Sequence, residues 1–338
     1  MLQTWTLRPG QGVDSMTLKD RLPDPLEQGQ VRVALKAWSL NARDVMVAMG
    51  QSPVPVADEL TPLSDAAGVV TEIGDGVTRV AVGDRVVVTF NPAHQSGAFE
   101  PYMGAYAFGE LNQGLLASER VLDQMALVKL PDNVTLTQAA CLPCAGVTAW
   151  NALFESGPFL PGQTVLATGT GPVSLIAMGL AKAAGARFGV TSSDTAKLEK
   201  AFAMGADFGV NYRERRDWDQ SVREQTSGAG VDVVLETAGP PSIATSVKAT
   251  AQNGRVAQIG FKALEGPAVS MLDLVMGGIK IVPIMVGSRV MLERVVAAVS
   301  VNAVDLPIHR VFPFTQAPSA FAEQMGGGAF GKVILSAE

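Results

Sequence analysis

Residues 169–174 read GTGPVS and stand between a short apolar run, QTVLAT, and a helical pattern, PVSLIAMGLAKAAGA. A glycine turn that leaves a strand and opens a helix bears chemistry, because it presents backbone N–H groups at the positive end of the helix to an anion. The spacing predicts a pyrophosphate site in which Gly169 makes the tight turn, Gly171 lets the backbone approach the ligand, and Thr170, Pro172 and Val173 complete the loop. Ser174 stands where a third glycine is usual and is small enough for close helix–strand packing. A plain turn of an α/β domain is the alternative. A methyltransferase also uses such a turn, but QTVLAT lacks the acidic residue usual before that loop.

The kind of dinucleotide is read about 20 residues further on, where an acid at the end of the second strand would hold the ribose of NAD. Here RFGVTS ends in Thr191, Ser192 and Ser193. Small hydroxyls leave room for a 2′-phosphate, Lys197 in the next helix supplies charge, and Tyr212 in GVNYRE reaches the same phosphate. The set points to NADP(H). Asp194 is the one nearby acid, and its place before TAKLEKA suits a helix cap. Gly260, closing the strand RVAQIG, completes the cofactor-binding candidates.

The chain's two cysteines, Cys141 and Cys144, lie together in CLPCAGVTA. A disulfide scaffold uses many cysteines at wide spacing. Zinc needs two further ligands, and the only histidines are His94 and His309. A redox pair like that of thioredoxin lacks its context, although Pro143 lies between the thiols. Packing is the default, since a free cysteine behaves as a small apolar residue, and the redox pair is the alternative. If residues 137–153 are helical, the two stack one turn apart.

These groups need a scaffold. In the first third, QVRVALKAW, GVVTEIGDGV and GDRVVVTF read as strands joined by glycine turns, and residues 91–114 as a long excursion rich in turn formers. From about residue 137, strands alternate with helices: QTVLAT, RFGVTS, DFGVNY, VDVVLETAG and RVAQIG with PVSLIAMGLAKAAGA, TAKLEKAFAMGA, DWDQSVREQTSGAG and PSIATSVKATAQNG. Such alternation predicts βαβ units in a doubly wound parallel sheet. A helix at about 288–300 and two short strands follow.

The chain of 338 residues is 47% hydrophobic and 17% charged, enough for a large core. With 26 Lys+Arg against 32 Asp+Glu it has no basic field for nucleic acid. The N-terminal MLQTWTLRPGQG lacks a basic segment followed by an apolar run, and later apolar runs are broken by charges, so a cytoplasmic protein is expected, with no membrane partner.

SLNARD, PLSDAAGVVTEIGDGVTRVAVGDRVV, LPCAGVTAWNAL, GTGPVSL, GVDVVLETAG and AFGKVIL together make the chain resemble the medium-chain dehydrogenase/reductase superfamily over nearly its full length. The resemblance implies an α/β fold: a Rossmann doubly wound parallel sheet plus a GroES-like β-rich catalytic domain. Residues 1–130 and 290–338 would form the catalytic domain and 131–289 the Rossmann domain. Zinc-dependent alcohol dehydrogenases of this superfamily hold catalytic zinc at positions that correspond here to Asn41, Ser64 and Cys144. Only Cys144 is a good ligand, and residues 91–114 lack the cysteines of a structural zinc lobe.

The pattern is most similar to the zinc-independent branch of quinone oxidoreductases and enone reductases. That branch implies Asn41 near the nicotinamide and Thr148 near the nicotinamide half of the cofactor, as the catalytic candidates. A turn-stabilising amide at Asn41 and a buried helix hydroxyl at Thr148 are the structural alternatives. Arg43 and Asp44 form a local ion pair on one reading, and Tyr102 and Tyr106 an aromatic wall. The expected activity is NADPH-dependent hydride transfer to a quinone, enone or other small carbonyl. The alternatives are an alcohol dehydrogenase of the same superfamily and an NADPH-binding structural or regulatory protein. Relatives often form homodimers through an edge strand such as IKIVPIMVG.

Overall fold

A computed structural model describes residues 2–261 and 265–337. Its strands are β1 (Leu2–Thr6), β2 (Thr17–Arg21), β3 (Gln30–Ser39), β4 (Asp65–Ile73), β5 (Arg85–Val88), β6 (Glu119–Asp123), β7 (Leu127–Lys129) and β8 (Thr164–Thr168). There follow β9 (Arg187–Ser192), β10 (Phe208–Asn211), β11 (Val231–Glu236), β12 (Thr250–Gln258), β13 (Lys280–Pro283), β14 (Ile308–Pro313) and β15 (Lys332–Ser336). Two compact units result. One holds the chain up to Val147, Val286–Ala303 and the residues from Ile308 onward; the other holds Thr148–Met285 and Val304–Pro307.

In the first unit a sheet runs β14-β15-β3-β4-β5-β7, with β6 also paired to β3. Strand β3 is its spine because QVRVALKAWS alternates. Val31, Val33, Leu35 and Ala37 are buried, while Arg32 and Lys36 point away. Around it Trp38, Leu40, Leu63, Leu115, Phe314 and Phe321 form the core. The Trp38 indole N–H donates to the Leu115 carbonyl at 2.7 Å, so the largest core side chain leaves no polar atom unpaired. Residues 91–114 wind through a 3₁₀ turn at Pro101–Tyr106.

The second unit is one parallel sheet ordered β10-β9-β8-β11-β12-β13, with helices in the crossovers. Its strands read as apolar runs because both faces are covered: Val165, Leu166 and Ala167 of β8 have no exposed surface. The order reverses direction between β8 and β11, and ligands of such sheets bind beyond the carboxyl ends of the strands at that switch point.

Two sequence expectations require correction. The helix expected over PSIATSVKATAQNG stops at Ala249, and Thr250 already begins β12. Thr250 pairs with Val231 before a register shift, and a side chain at Gly254 would come within 2.8 Å of the Asp232 carbonyl. Neighbouring strands thus impose a conformation that local pattern does not announce. The helix considered for 137–153 is also broken, into Leu136–Ala139, a π turn at Leu142–Gly146, Val147–Trp150 and a second π turn at Asn151–Glu155. Pro143 lacks an N–H and so interrupts regular α-helical bonding there. Among the described residues no helix is long and apolar enough to cross a membrane.

Candidate active site

The register of the first unit gathers one polar cluster. Ser39 lies opposite Asp65 on β4 and opposite Ile334 on β15. Since β15 runs antiparallel to β3, the start of β15 at Lys332 meets the chain just past the end of β3, where Asn41 stands. The Lys332 ammonium donates to the Asn41 side-chain oxygen at 2.7 Å and to the Leu40 carbonyl at 2.8 Å, and lies 3.7 Å from Asp65. Both charged groups are buried, Lys332 at 1% exposure and Asp65 at 0%. A buried pair persists only when its remaining hydrogen-bonding capacity is met. Asp65 accepts from the Ser64 hydroxyl at 2.7 Å, from Ser39 at 3.3 Å and from the Cys144 N–H at 3.2 Å. The Asn41 amide nitrogen points to the Ser64 oxygen at 3.5 Å.

Asn41, Ser64 and Cys144 therefore do share one site, as the resemblance implied, and Lys332 and Asp65 join them. The donor set does not suit zinc, because an amide, a hydroxyl and one thiol stand beside a buried cation. Among the described residues no group of three or more His, Cys, Asp or Glu is arranged to hold a metal ion. Desolvation first, and the neighbouring Asp65 second, push the Cys144 thiol up to about 12. Cys141 is wholly buried, and its thiol donates to the Thr137 carbonyl at 3.4 Å, as a packing residue does.

Beside this cluster, Asp44 accepts the Asn41 backbone N–H at 2.7 Å. Arg43 lies 3.8 Å from Asp44 and 3.5 Å from Glu110, sits 4.4 Å over the Phe90 ring and donates to the Phe108 carbonyl at 2.5 Å. The local ion pair considered from sequence is thus part of a wider contact set. Burial is the main cause that raises the Asp44 carboxyl from 3.8 to about 6, Arg43 opposing it. The folded chain therefore binds a proton that the unfolded chain releases, and stability falls as pH rises from about 4 through 6. The roughly two-unit shift corresponds to about 3 kcal/mol. Asp44→Asn keeps an acceptor for Asn41 without a charge. It should match the parent near pH 4 and exceed it by about 2–3 kcal/mol above pH 7 in urea unfolding. A difference independent of pH would show that Asp44 is not destabilised by its charge.

In the second unit, Gly169 has φ +105°, a conformation that side-chain-bearing residues rarely adopt. Gly171 caps the helix Pro172–Ala183 at φ −80° and ψ 175°, and a side chain built on it would meet nothing within 4 Å. Glycine there answers no internal demand. Thr170 is buried, Ser174 is wholly buried, and Pro172 and Val173 are half-buried. The first N–H groups of a helix have no carbonyl partner within it, so those of Val173 and Ser174 are donors that this turn could offer to an anion. Facing this turn across the switch point, wholly buried Glu236 accepts from Thr168 Oγ1 at 2.8 Å, from the N–H groups of Ala238 and Gly239, each at 2.9 Å, and from the hydroxyls of Ser242 and Ser246. It ties the ends of β8 and β11 together. Gly260 packs so closely that a side chain would lie 2.2 Å from the Thr237 carbonyl.

At the end of β9, Ser192 is buried, its hydroxyl oxygen accepts the Asp194 N–H at 3.1 Å, and its carbonyl accepts the Tyr212 N–H at 3.0 Å. Ser193 and Lys197 are half-buried, and Tyr212 is exposed. Asp194 caps the helix Thr195–Ala203 by accepting the Ala196 N–H at 2.8 Å, the role its sequence position suggested. Thr148 is buried in the turn Val147–Trp150, while Tyr102 and Tyr106 are exposed.

Sequence reasoning missed Lys332, Asp65 and Glu236. The available signal was a charge set in an apolar strand pattern, in AFGKVIL, in PLSDAAGVV and at the end of VDVVLE.

The sequence matches the family model of the alcohol dehydrogenase GroES-like domain over residues 27–132 and that of the zinc-binding dehydrogenases over 172–300. A zinc-type alcohol dehydrogenase-like protein of Schizosaccharomyces pombe is 36% identical over 321 residues, which cover 93% of this chain and 92% of that one. A crystal structure of a candidate alcohol dehydrogenase from Sinorhizobium meliloti is 35% identical with TM-score 0.92, covering 99% and 98% of the two chains. A quinone oxidoreductase of Pseudomonas syringae is 26% identical with TM-score 0.82, covering 99% and 100%. A parallel sheet with a glycine turn at its switch point, a β-rich unit built from both chain ends, and relatives alike over their whole length agree: the chain belongs to the medium-chain dehydrogenase/reductase superfamily of oxidoreductases.

Proposed function

We propose that the protein is an NADPH-dependent reductase of quinones or α,β-unsaturated carbonyls that works without catalytic zinc. The observation that carries this reading is the buried Lys332 ammonium bonded to Asn41. It sets a cation of the chain's own at the ligand positions and would repel Zn²⁺. Without a metal to stabilise an alkoxide, a conjugated acceptor is the better substrate, because its new charge spreads over an enolate or hydroquinone.

When bound, the reduced nicotinamide supplies the hydride. Gly169, Thr170, Gly171, Pro172 and Val173 hold the pyrophosphate, Gly260 keeps the adjoining wall low, and Thr148 orients the nicotinamide half. Ser192, Ser193, Lys197 and Tyr212 receive the 2′-phosphate, while Asp194 is committed to its cap. The Asn41 NH₂ donates to the acceptor oxygen as charge develops there. The S. pombe and S. meliloti relatives favour alcohol oxidation as the second reading.

Initial rates at saturating NADPH decide between them. A small quinone or cyclic enone should outpace the matched saturated ketone, with unchanged rates after chelation and most activity kept in Cys144→Ser. Faster turnover of the ketone and its alcohol, or one zinc per chain with activity lost on chelation, would overturn the proposal. Lys197→Ala should weaken NADPH binding about 10- to 100-fold, the scale of one charge-assisted hydrogen bond, and leave NADH almost unchanged. Equal losses for both would remove the phosphate role.

A homodimer through β13 also fits. The strand ends its sheet, and Met271, Leu272, Val275 and Met276 in the preceding helix are more than two-thirds exposed. Sedimentation equilibrium reads the mass, and a monomer would sink this assignment.

A further inference from the structure

Lys332 stands in AFGKVIL, a motif to which the sequence reading attached no site residue, yet its buried ammonium touches the residue on which the proposed chemistry depends. An ammonium has three donors and no acceptor, and a carboxylate has acceptors only. With Lys332 at one end of the cluster and Asp65 at the other, the hydrogen bonds between them can run in only one direction. The Asn41 atom that faces Lys332 at 2.7 Å must be the oxygen, since an NH₂ there would set donor against donor. The amide nitrogen then points to the Ser64 oxygen, at 3.5 Å, and the Ser64 hydroxyl spends its proton on Asp65 at 2.7 Å. Asp65 closes the circuit 3.7 Å from Lys332.

We infer that Lys332 is a positioning residue: it locks the Asn41 amide with its oxygen inward, so that the remaining N–H of the NH₂ group is the one presented to substrate. This rests on the reading of Asn41 as the hydrogen-bond donor to the acceptor oxygen. Lys332 does not itself reach substrate, because Asn41, Leu40 and Asp65 surround its ammonium and it has almost no exposed surface. An amide free to turn over would present its carbonyl to a developing oxyanion half of the time or more, which repels rather than stabilises.

Removing Lys332 alone would strand the buried Asp65 charge, so the comparison is made in an Asp65→Asn background. Adding Lys332→Met to Asp65→Asn should lower kcat about 10- to 100-fold, the scale of one charge-assisted hydrogen bond, with NADPH affinity unchanged within about twofold. In the presence of Asn41→Ala the same step should change kcat less than about twofold, because the amide through which Lys332 acts is gone. An equal loss with and without Asn41 would overturn the inference and leave Lys332 a structural residue. A second measurement needs no turnover. The two side-chain N–H resonances of Asn41 should exchange with solvent at least about tenfold faster once Lys332 is replaced. Unchanged exchange would also refute the lock. If the parent reduces no quinone or enone, the proposed function fails, while the amide exchange still decides the role of Lys332.

Discussion

Gly171→Asp should leave the protein as stable as its parent, or slightly more stable, while NADPH affinity falls about 10²–10⁴-fold. The backbone at Gly171, φ −80° and ψ 175°, is extended and open to any residue, and a side chain there meets no neighbour within 4 Å. Aspartate is among the best helix caps, and its negative charge suits a helix N-terminus. It would therefore satisfy the N–H groups of the helix Pro172–Ala183 itself. Those are the donors assigned to the pyrophosphate, so the cap competes with the ligand and also repels it. Losing two charge-assisted hydrogen bonds, at about 1.5–3 kcal/mol each, sets the scale. Calorimetric titration and thermal unfolding of the same samples separate the two effects. Parallel loss of stability and affinity would make the glycine a folding requirement, and unchanged affinity would remove the turn from the cofactor site.

Asn41→Asp should lower kcat about 10²–10³-fold with a folded, thermally stable protein, the loss expected when one oxyanion donor is removed. Aspartate has nearly the shape of asparagine and caps the following helix equally well. It would keep the oxygen that Lys332 donates to at 2.7 Å and strengthen that contact with charge. Only the NH₂ is lost, replaced by an atom that repels the developing negative charge. KM for NADPH should change little. An Asn41→Asp enzyme with full kcat would show that the acceptor oxygen finds its donor elsewhere, and the exposed Tyr102 and Tyr106 would be the next groups to test.

Much of the second unit was legible in the linear chain. RFGVTS forms β9 residue for residue, and Asp194 caps the helix after it, because strand period, cap chemistry and glycine turns act over a few residues. The position of the glycine turn and the missing acid after β9 are of the same local kind. That Asn41 and Ser64, at two positions where the resemblance implies zinc ligands, are residue types that bind zinc poorly was equally legible. Pairing, by contrast, is a property of the assembled sheet. Thr250 leaves its predicted helix because Val231 offers a strand partner, and the CLPC segment winds into a π turn rather than a regular helix. The direction of the Asn41 amide was the least visible feature, since it is set by a lysine 291 residues away. Its physical cause is the antiparallel register of β15 on β3, which carries a charge from one chain end into the core beside Asp65 and there permits a single hydrogen-bonding order.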